Sequence, residues 1–296
     1  MSYDIYTGLL KAFSLPTTKE MQVHFVYDND NSQFNKLKSS YPIESIAGNR
    51  SDFSKAINLL HWLSDHIYHK GDFDGHITHN SLSLLNYSYD KGNQFGINCV
   101  ALATILSECL LAIGLKARRV FIMPCSPYDG DNHVVTHVYI REFKKWVMLD
   151  PALNAYFTNE TGDYLSLLEL RDNLANQQPV FFNSEANYNG DKLNEQSKLF
   201  WIEYFAKNLF YFKTSEKSTY GDGDVVGEGK SSFNRSIIIC PHGYDPKHIR
   251  LSNIEYRRKL YGDSPILDKW KDNVKKETYT YCSAKDFEEI PSLMNE

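Results

Sequence analysis

The longest apolar pattern in the chain is a helix-length stretch from Cys99 to Gly114. Its minor, mostly polar stripe consists of Thr104, Ser107, Glu108 and Leu111, and nearly every other position is apolar. Asn98 is a good N-cap residue, because its side-chain oxygen can accept a backbone N–H of the first turn. Gly114 is a suitable left-handed stop. The pattern predicts a helix that is buried at the centre of a domain.

The chain after this helix shows the patterns of β-strands. Residues 116–123 are rich in β-branched and apolar side chains and end before Pro124. Residues 133–140 alternate, with Val134, Thr136, Val138 and Ile140 on one face and His133, Val135, His137 and Tyr139 on the other. A second short strand, 146–149, is ended by Asp150 and Pro151. These two strands predict a hairpin.

Weaker patterns surround this central region. We predict helices over residues 51–69, 81–89, 165–175 and 193–208, the first with Ser51 as its cap. Shorter apolar pieces predict strands over residues 23–27, 209–212 and 235–240. Residues 1–50 show no clear period, and residues 214–232 are glycine-rich and polar, which favours a flexible loop.

Composition narrows the classes of function. Of the 296 residues, 42% are apolar and 23% charged, as in an ordinary globular protein. The net charge of −5 and the lack of a long basic run argue against a nucleic-acid partner. No stretch has the length of a transmembrane helix, and residues 1–13 do not resemble a signal peptide. With five widely spaced cysteines, we expect a cytoplasmic protein without disulfides or membrane contact, or a secreted one if a signal has been removed.

Residue types that are suited to nucleophilic catalysis follow one another along the central elements. Cys99 falls in a first helical turn, where unpaired N–H groups and the helix dipole favour a negative charge and therefore a reactive thiolate. A thiol nucleophile needs a base within hydrogen-bond reach, and the base needs a third group that fixes its tautomer. A helix start packed against the hairpin can bring together Cys99, a strand histidine and Asp150.

The choice between His133 and His137 depends on the register of the hairpin. Both project from the same face, roughly 13 Å apart at about 3.3 Å per residue, so only one of them can reach both partners. A two-residue turn at 141–142 would put His133 opposite Asp150, and a turn at 143–144 would put His137 there. Neither turn has the Gly or Asn that fixes a register.

In these segments the chain resembles the transglutaminase-like superfamily, relatives of the papain-type cysteine proteases. The resemblance lies in residues 98–118, 133–139 and 145–151. Family members show a cysteine followed by a small and apolar helix, a Gly-x-x-Ala-Arg entry to a strand, a His-x-x-x-Glu-Val-type strand and Trp-x-x-x-Asp-Pro. One departure is His137, which stands where many relatives have glutamate. The three candidate catalytic positions remain intact.

Carried over residue by residue, the resemblance implies that Cys99 is the nucleophile, His133 the base and Asp150 the orienting acid, with His137 as the reserve candidate. It implies an α+β fold with a papain-like or transglutaminase-like core, in which the nucleophile helix packs on an antiparallel sheet. We expect one elaborated domain over residues 1–296. Its catalytic core spans about residues 51–175, and an extension over 176–296 covers that core.

The implied activity is thiol-dependent acyl transfer or hydrolysis at an amide bond, as in a cysteine peptidase or amidase. The partner is then a peptide or protein amide substrate, and no cofactor or metal is required. One alternative is a protein-glutamine transglutaminase, in which an amine replaces water as the acceptor. The other is a peptide-binding module without catalytic activity.

Other candidate residues have simpler explanations. The remaining cysteines, 109, 125, 240 and 282, are best explained as small apolar residues. The histidines at 61, 66, 69, 76 and 79 match no compact metal-ligand motif and are best explained as exposed residues. The backbone N–H of Cys99 or the side chain of Gln94 can supply an oxyanion donor, although Gln94 fits an ordinary polar loop residue better.

Overall fold

Helices and short strands alternate along the chain in the computed structural model, which describes residues 2–18, 23–222 and 236–291. The helices are α1 (Ser2–Ala12), α2 (Gln33–Ser40), α3 (Ile43–Ala47), α4 (Asp52–His66), α5 (Ser81–Ser88), α6 (Cys99–Ala112), α7 (Leu167–Ala175), α8 (Glu195–Asn208), α9 (Pro246–Tyr261), α10 (Pro265–Lys276) and α11 (Ala284–Phe287). The strands are β1 (Val26–Tyr27), β2 (Ala117–Met123), β3 (His133–Ile140), β4 (Lys145–Leu149), β5 (Phe157–Thr158), β6 (Phe181–Phe182), β7 (Asn187–Tyr188), β8 (Asp191–Lys192), β9 (Tyr211–Ser215), β10 (Lys217–Ser218), β11 (Ser236–Ile239) and β12 (Tyr279–Tyr281).

The central sheet has six strands in the order β12-β11-β9-β2-β3-β4. All neighbours are antiparallel except β11 and β12, which are parallel, so the sheet is mixed rather than purely antiparallel as predicted. The three strands predicted in the centre of the chain form as β2, β3 and β4 with almost the predicted bounds. The molecule is therefore of the mixed α+β class.

The hairpin of β3 and β4 is confirmed, but both registers considered for it are wrong. Ile140 pairs with Lys145, so four residues rather than two form the turn, and Lys144 adopts the left-handed conformation with φ +51°. Thr136 pairs with Leu149, which brings Asp150 level with Val135, midway between the two histidines. Pairing therefore does not select a histidine, and the direction of the Asp150 side chain does.

Alternation in the sheet produces two cores, one on each face. Val120, Val135 and Met148 belong to the core that includes buried residues of α7 and α8. Val138 and Val147 belong to the other core, which includes the buried residues of α4 and α6. Helix α6 packs on β2 and β3, and every residue from 101 to 112 is buried. The prediction of a central buried helix is confirmed.

The polar stripe of α6 is buried as well and ties neighbouring segments to the helix. The two carboxylate oxygens of Glu108 accept backbone N–H groups of Ser81 at 2.8 Å and of Gly221 at 3.0 Å. The Thr104 hydroxyl accepts a hydrogen bond from Arg119 at 3.0 Å. Because buried polar groups need such partners, this stripe fixes the orientation of α6 against the sheet.

The outer parts of the chain were predicted less well. Residues 1–50 have no clear period but contain α1, α2 and α3, of which the last two are too short for a helical period to emerge. The predicted loop over 214–232 is partly wrong, because β9 and β10 extend to Ser218; its residues 223–232 lie outside the described residues. None of the helices listed above is long and apolar enough to cross a membrane.

Candidate active site

Cys99 lies in the first turn of α6, as the sequence predicted. The side-chain oxygen of Asn98 accepts the backbone N–H of Ala101 at 3.1 Å, which is the expected N-cap hydrogen bond. The amide group of Asn98 also donates to the backbone oxygen of Phe73 at 3.3 Å, so the cap is held from both ends. The Cys99 side chain is only partly buried, and it is therefore accessible at a helix end that favours a negative charge.

His133 and Asp150 form a buried pair at the end of the β3–β4 hairpin. Nε2 of His133 lies 2.8 Å from Oδ2 of Asp150, and both side chains are almost fully buried. The other carboxylate oxygen of Asp150 accepts the backbone N–H of Ala152 at 2.9 Å. Asp150 thus initiates a turn and holds an imidazole at the same time. This contact leaves Nδ1 of His133 free to face another group.

That other group is the Cys99 thiol. Burial opposes its ionisation, but hydrogen bonds with His133 and His69 outweigh burial and lower the pKa of Cys99 to about 6. Burial likewise opposes a positive charge on His133, yet the charge of Asp150 and its hydrogen bond raise the pKa of His133 well above its ordinary value. Near neutral pH both shifts favour a thiolate–imidazolium ion pair.

His69 is the residue that sequence analysis missed. The sequence pattern predicts an exposed histidine at this position, whereas His69 is partly buried and hydrogen-bonds with Cys99. Its backbone pairs with Ile97 in a parallel bridge, two residues before the cysteine. Asn189 donates to the backbone oxygen of His69 at 3.0 Å and accepts its N–H at 2.7 Å. No spacing rule connects these positions, so no pattern along the chain indicates this contact.

His137 lies away from this group. Its ring stacks on Trp146 at a centroid distance of 5.0 Å and on Phe287 at 5.8 Å, and Nη2 of Arg118 lies 3.3 Å from its Nδ1. Burial, and then the positive charge of Arg118, hold the pKa of His137 well below its usual range. This residue is therefore a neutral, fully buried core side chain.

The other four cysteines differ from Cys99 in their electrostatics. Burial raises the pKa of Cys240 and of Cys282 to about 12, and it also raises the pKa of Cys109 and of Cys125. These thiols are protonated at neutral pH, as expected for small apolar side chains. Gln94 is exposed in a short turn before α6.

Five rings form an arc that begins and ends with the two histidines that bond Cys99, and we call it the aromatic arc. Its centroid distances are 5.5 Å for His69–Tyr188, 5.6 Å for Tyr188–Trp201, 5.2 Å for Trp201–Tyr204 and 5.6 Å for Tyr204–His133. Burial raises the pKa of Tyr204 far above its ordinary value, so this hydroxyl stays neutral. Aromatic side chains combine a large apolar surface with a polar tip. The arc thus gives the site an apolar wall with hydroxyl groups.

A metal centre is not evident in the described parts of the chain. Within residues 2–18, 23–222 and 236–291, no three histidine, cysteine or acidic side chains are grouped so that they could hold a metal ion. The histidines between 61 and 79 point to separate partners: His61 Nδ1 lies 2.7 Å from Oδ1 of Asn154, and His66 Nδ1 lies 2.7 Å from the backbone oxygen of Trp62.

Comparison with known proteins identifies the region that contains the candidate residues. No curated protein and no solved structure matches the chain significantly. Residues 40–151 match the model of the transglutaminase-like superfamily. The match includes α4, α6 and the β3–β4 hairpin, and it ends one residue after Asp150. Residues 40–151 of this chain are thus a domain of the transglutaminase-like superfamily.

Proposed function

We propose that this protein catalyses thiol-dependent acyl transfer or hydrolysis at an amide bond, with Cys99 as the nucleophile, His133 as the base and Asp150 as the group that orients the base. The observation that carries the proposal is the continuous chain of contacts from the Cys99 thiol through the His133 ring to the Asp150 carboxylate. Nucleophile, base and orienting acid are the parts that a covalent acyl-transfer mechanism needs.

The reaction follows from the protonation states of the pair. The Cys99 thiolate attacks the amide carbonyl carbon, a C–S bond forms, and the π electrons of the carbonyl move to its oxygen. When the tetrahedral intermediate collapses, the C–N bond breaks and the departing nitrogen takes a proton from Nδ1 of His133. Neutral His133 then removes a proton from water, whose oxygen attacks the thioester. The acid and the thiolate are released, and His133 is protonated again.

Asp150 acts through His133 in this scheme. Its carboxylate bonds Nε2 at 2.8 Å, so Nδ1 is the nitrogen that exchanges protons with sulfur and the leaving amine. The carboxylate also stabilises the imidazolium form that appears in each half of the reaction. Because the Asp150 side chain is fully buried, water does not screen this attraction strongly.

The segments beyond the family domain contribute to the same site, and we infer that the chain works as one elaborated domain on a papain-like core. Tyr188, Trp201 and Tyr204 of the aromatic arc all come after residue 175, in the proposed extension over 176–296. Tyr204 also reaches the backbone oxygen of Asn132, next to His133, at 3.4 Å. These contacts support an extension that covers the core and lines the cleft.

Cys99 is expected to be the most reactive of the five thiols. Its pKa is lowered to about 6, whereas burial raises that of the others, so at mildly acidic pH Cys99 alone carries a substantial thiolate fraction. Brief treatment with iodoacetamide at such a pH, followed by peptide mass spectrometry, should label Cys99 first. Cys125 is the built-in control, because it too is partly exposed. Equal or earlier labelling of Cys125 would refute the assignment of Cys99 as nucleophile.

The acceptor is identified by incubating the protein with a panel of peptide amides, with and without a primary amine. Release of the free acid in both conditions is the expected result and corresponds to hydrolase activity. Incorporation of the amine instead would establish the transglutaminase alternative. Tight binding without turnover, with Cys99 unmodified, would contradict catalysis and favour the peptide-binding module. The Cys99→Ser variant controls for contaminating activity.

A further inference from the structure

Cys99 contacts the imidazoles of His133 and His69, but the second ring nitrogen of each contacts a different kind of group. Nε2 of His133 faces the carboxylate of Asp150, whereas Nδ1 of His69 faces the hydroxyl of Tyr188 at 3.0 Å. A carboxylate stabilises an imidazolium, and a neutral phenol does not. Burial raises the pKa of Tyr188, so its hydroxyl retains the proton. His133 is thus equipped to carry a charge, whereas the group that His69 contacts on its other side is a hydroxyl.

These contacts also define the tautomer of His69. A thiolate can only accept a hydrogen bond, so the His69 nitrogen that faces Cys99 must carry a proton. Because Nδ1 is occupied by Tyr188, the nitrogen that remains for Cys99 is Nε2. Neutral imidazole with a proton on Nε2 has an acceptor at Nδ1, and the Tyr188 hydroxyl donates to it. The result is an N–H donor on the side of His69 that faces the reactive sulfur.

His69 is held in this position by main-chain contacts. The backbone N–H of Ile97 donates to the oxygen of Tyr68 at 3.0 Å, and the N–H of Lys70 donates to the oxygen of Ile97 at 2.8 Å. The side chain of Asn189 bonds both the N–H and the carbonyl of His69. A donor that is fixed in this way needs no reorganisation during a reaction, which is the condition for strong electrostatic stabilisation.

We propose that His69 is a catalytic residue of the acyl-transfer site, where Nε2–H donates a hydrogen bond to the substrate carbonyl oxygen as that oxygen becomes negative. The inference rests on the proposed role of Cys99. When sulfur attacks the carbonyl carbon, the oxygen of the same carbonyl lies within a bond length or two of the sulfur, close to a donor that already reaches it. The first-turn N–H of Cys99, which lies outside the intrahelical hydrogen bonds, is the second donor.

This role separates the two histidines by the step that they serve. His133 exchanges protons with the nucleophile and the leaving group, and His69 stabilises the charge on oxygen without exchanging a proton. Substrates whose reaction creates no oxyanion should therefore be indifferent to His69. Iodoacetamide is such a reagent, because sulfur displaces iodide at a saturated carbon. The acylating ester p-nitrophenyl acetate is the matched opposite, because its carbonyl oxygen becomes negative when sulfur adds.

The test compares these two reagents on the full chain at a pH above the pKa of Cys99, where the thiolate is fully formed. Acylation is measured as the burst of p-nitrophenolate, with mass spectrometry to locate the acetyl group on Cys99, and alkylation is measured with iodoacetamide. We expect His69→Ala to slow acylation by about tenfold or more, while alkylation changes by less than about threefold. His76→Ala, at an exposed histidine, is the matched control and should change neither rate.

Two further variants keep the result interpretable if His69→Ala folds poorly. His69→Gln retains an N–H donor and should recover part of the acylation rate. Tyr188→Phe removes the proton that fixes the tautomer and should slow acylation less than His69→Ala does. Equal losses of acylation and alkylation in His69→Ala would overturn the proposal and leave His69 as a support for the thiolate. Unchanged acylation would also overturn it. A wild-type protein that shows neither a burst nor fast alkylation would instead refute the nucleophile itself.

Discussion

Replacing His133 with alanine is expected to abolish the reactivity of Cys99 at low pH, whereas replacing His137 is expected to preserve it. Burial raises the pKa of the Cys99 thiol, and the hydrogen bond with His133 is the main interaction that lowers it. Without His133 the pKa of Cys99 therefore rises from about 6. Turnover of an amide substrate should fall by about 10⁶, the scale of losing the base of a triad. His137 has no contact of this kind, because its ring packs between Trp146 and Phe287.

The measurement is the rate of Cys99 alkylation as a function of pH in the two variants. In the wild type the rate should rise with pH and reach half its plateau near pH 6, because the rate follows the thiolate fraction. His133→Ala should move this midpoint upward, and His137→Ala should leave it in place. The second variant is also the stability control, since the lost ring leaves a cavity that destabilises the fold by about 2–4 kcal/mol. Loss of low-pH reactivity in His137→Ala, with retention in His133→Ala, would require the two roles to be exchanged.

The sequence predicted the helices and strands of the candidate site better than the register in which the strands pair. The bounds of β3 were predicted to the residue, since the segment is rich in β-branched and aromatic residues and polar Asn132 and Arg141 flank it on both sides. The register was wrong, because it depends on a four-residue turn whose left-handed residue is Lys144 rather than Gly or Asn. Strand pairing places Asp150 level with Val135, midway between His133 and His137. The Asp150 side chain points toward His133, and this direction determines which histidine it contacts.

His69 shows a different limit of sequence reasoning. Its contact with Cys99 depends on a bridge between two short irregular segments, His69 and Ile97, and on the side chain of Asn189, which is 120 positions away in the chain. Such contacts leave no period and no spacing in the sequence. The same holds for the aromatic arc, because Tyr204 meets His133, and Trp201 meets Tyr204, only after α8 has packed against the sheet. The helix start that carries Cys99 and the strand that carries His133 were predictable from local pattern, whereas the surrounding wall was not.

Arg118 on β2 and His137 on β3 show that a buried polar residue is not by itself evidence of an active site. Arg118 is almost fully buried, and its guanidinium lies 4.3 Å from the ring centroids of Phe25 and Phe287 and 4.5 Å from that of Trp146. Together with His137 it forms a packed aromatic and cationic cluster. Arg118 and His137 face one another across the paired strands β2 and β3.

Asp150→Asn is expected to preserve the fold and to lower turnover by about 10³–10⁴. The replacement is nearly isosteric, and its orientation is set by the backbone N–H of Ala152, which requires an oxygen at the position of Oδ1. The amide nitrogen of the new side chain must then face Nε2 of His133. An N–H group there donates to Nε2, so the ring proton moves to Nδ1, on the side of Cys99, and the imidazole can no longer accept a proton from the thiol.

The variant should therefore show two linked changes. Loss of the Asp150 charge lowers the pKa of His133, which Asp150 otherwise holds above its ordinary value, and the weakened ion pair raises the pKa of Cys99. The pH dependence of Cys99 alkylation should move upward while the thermal unfolding midpoint changes little. Asp163→Asn, at an exposed aspartate on the turn after β5, is the matched control for a charge-neutral substitution. If Asp150→Asn turns over a verified amide substrate at the wild-type rate, Asp150 does not orient the base, and its role is confined to the turn at Pro151.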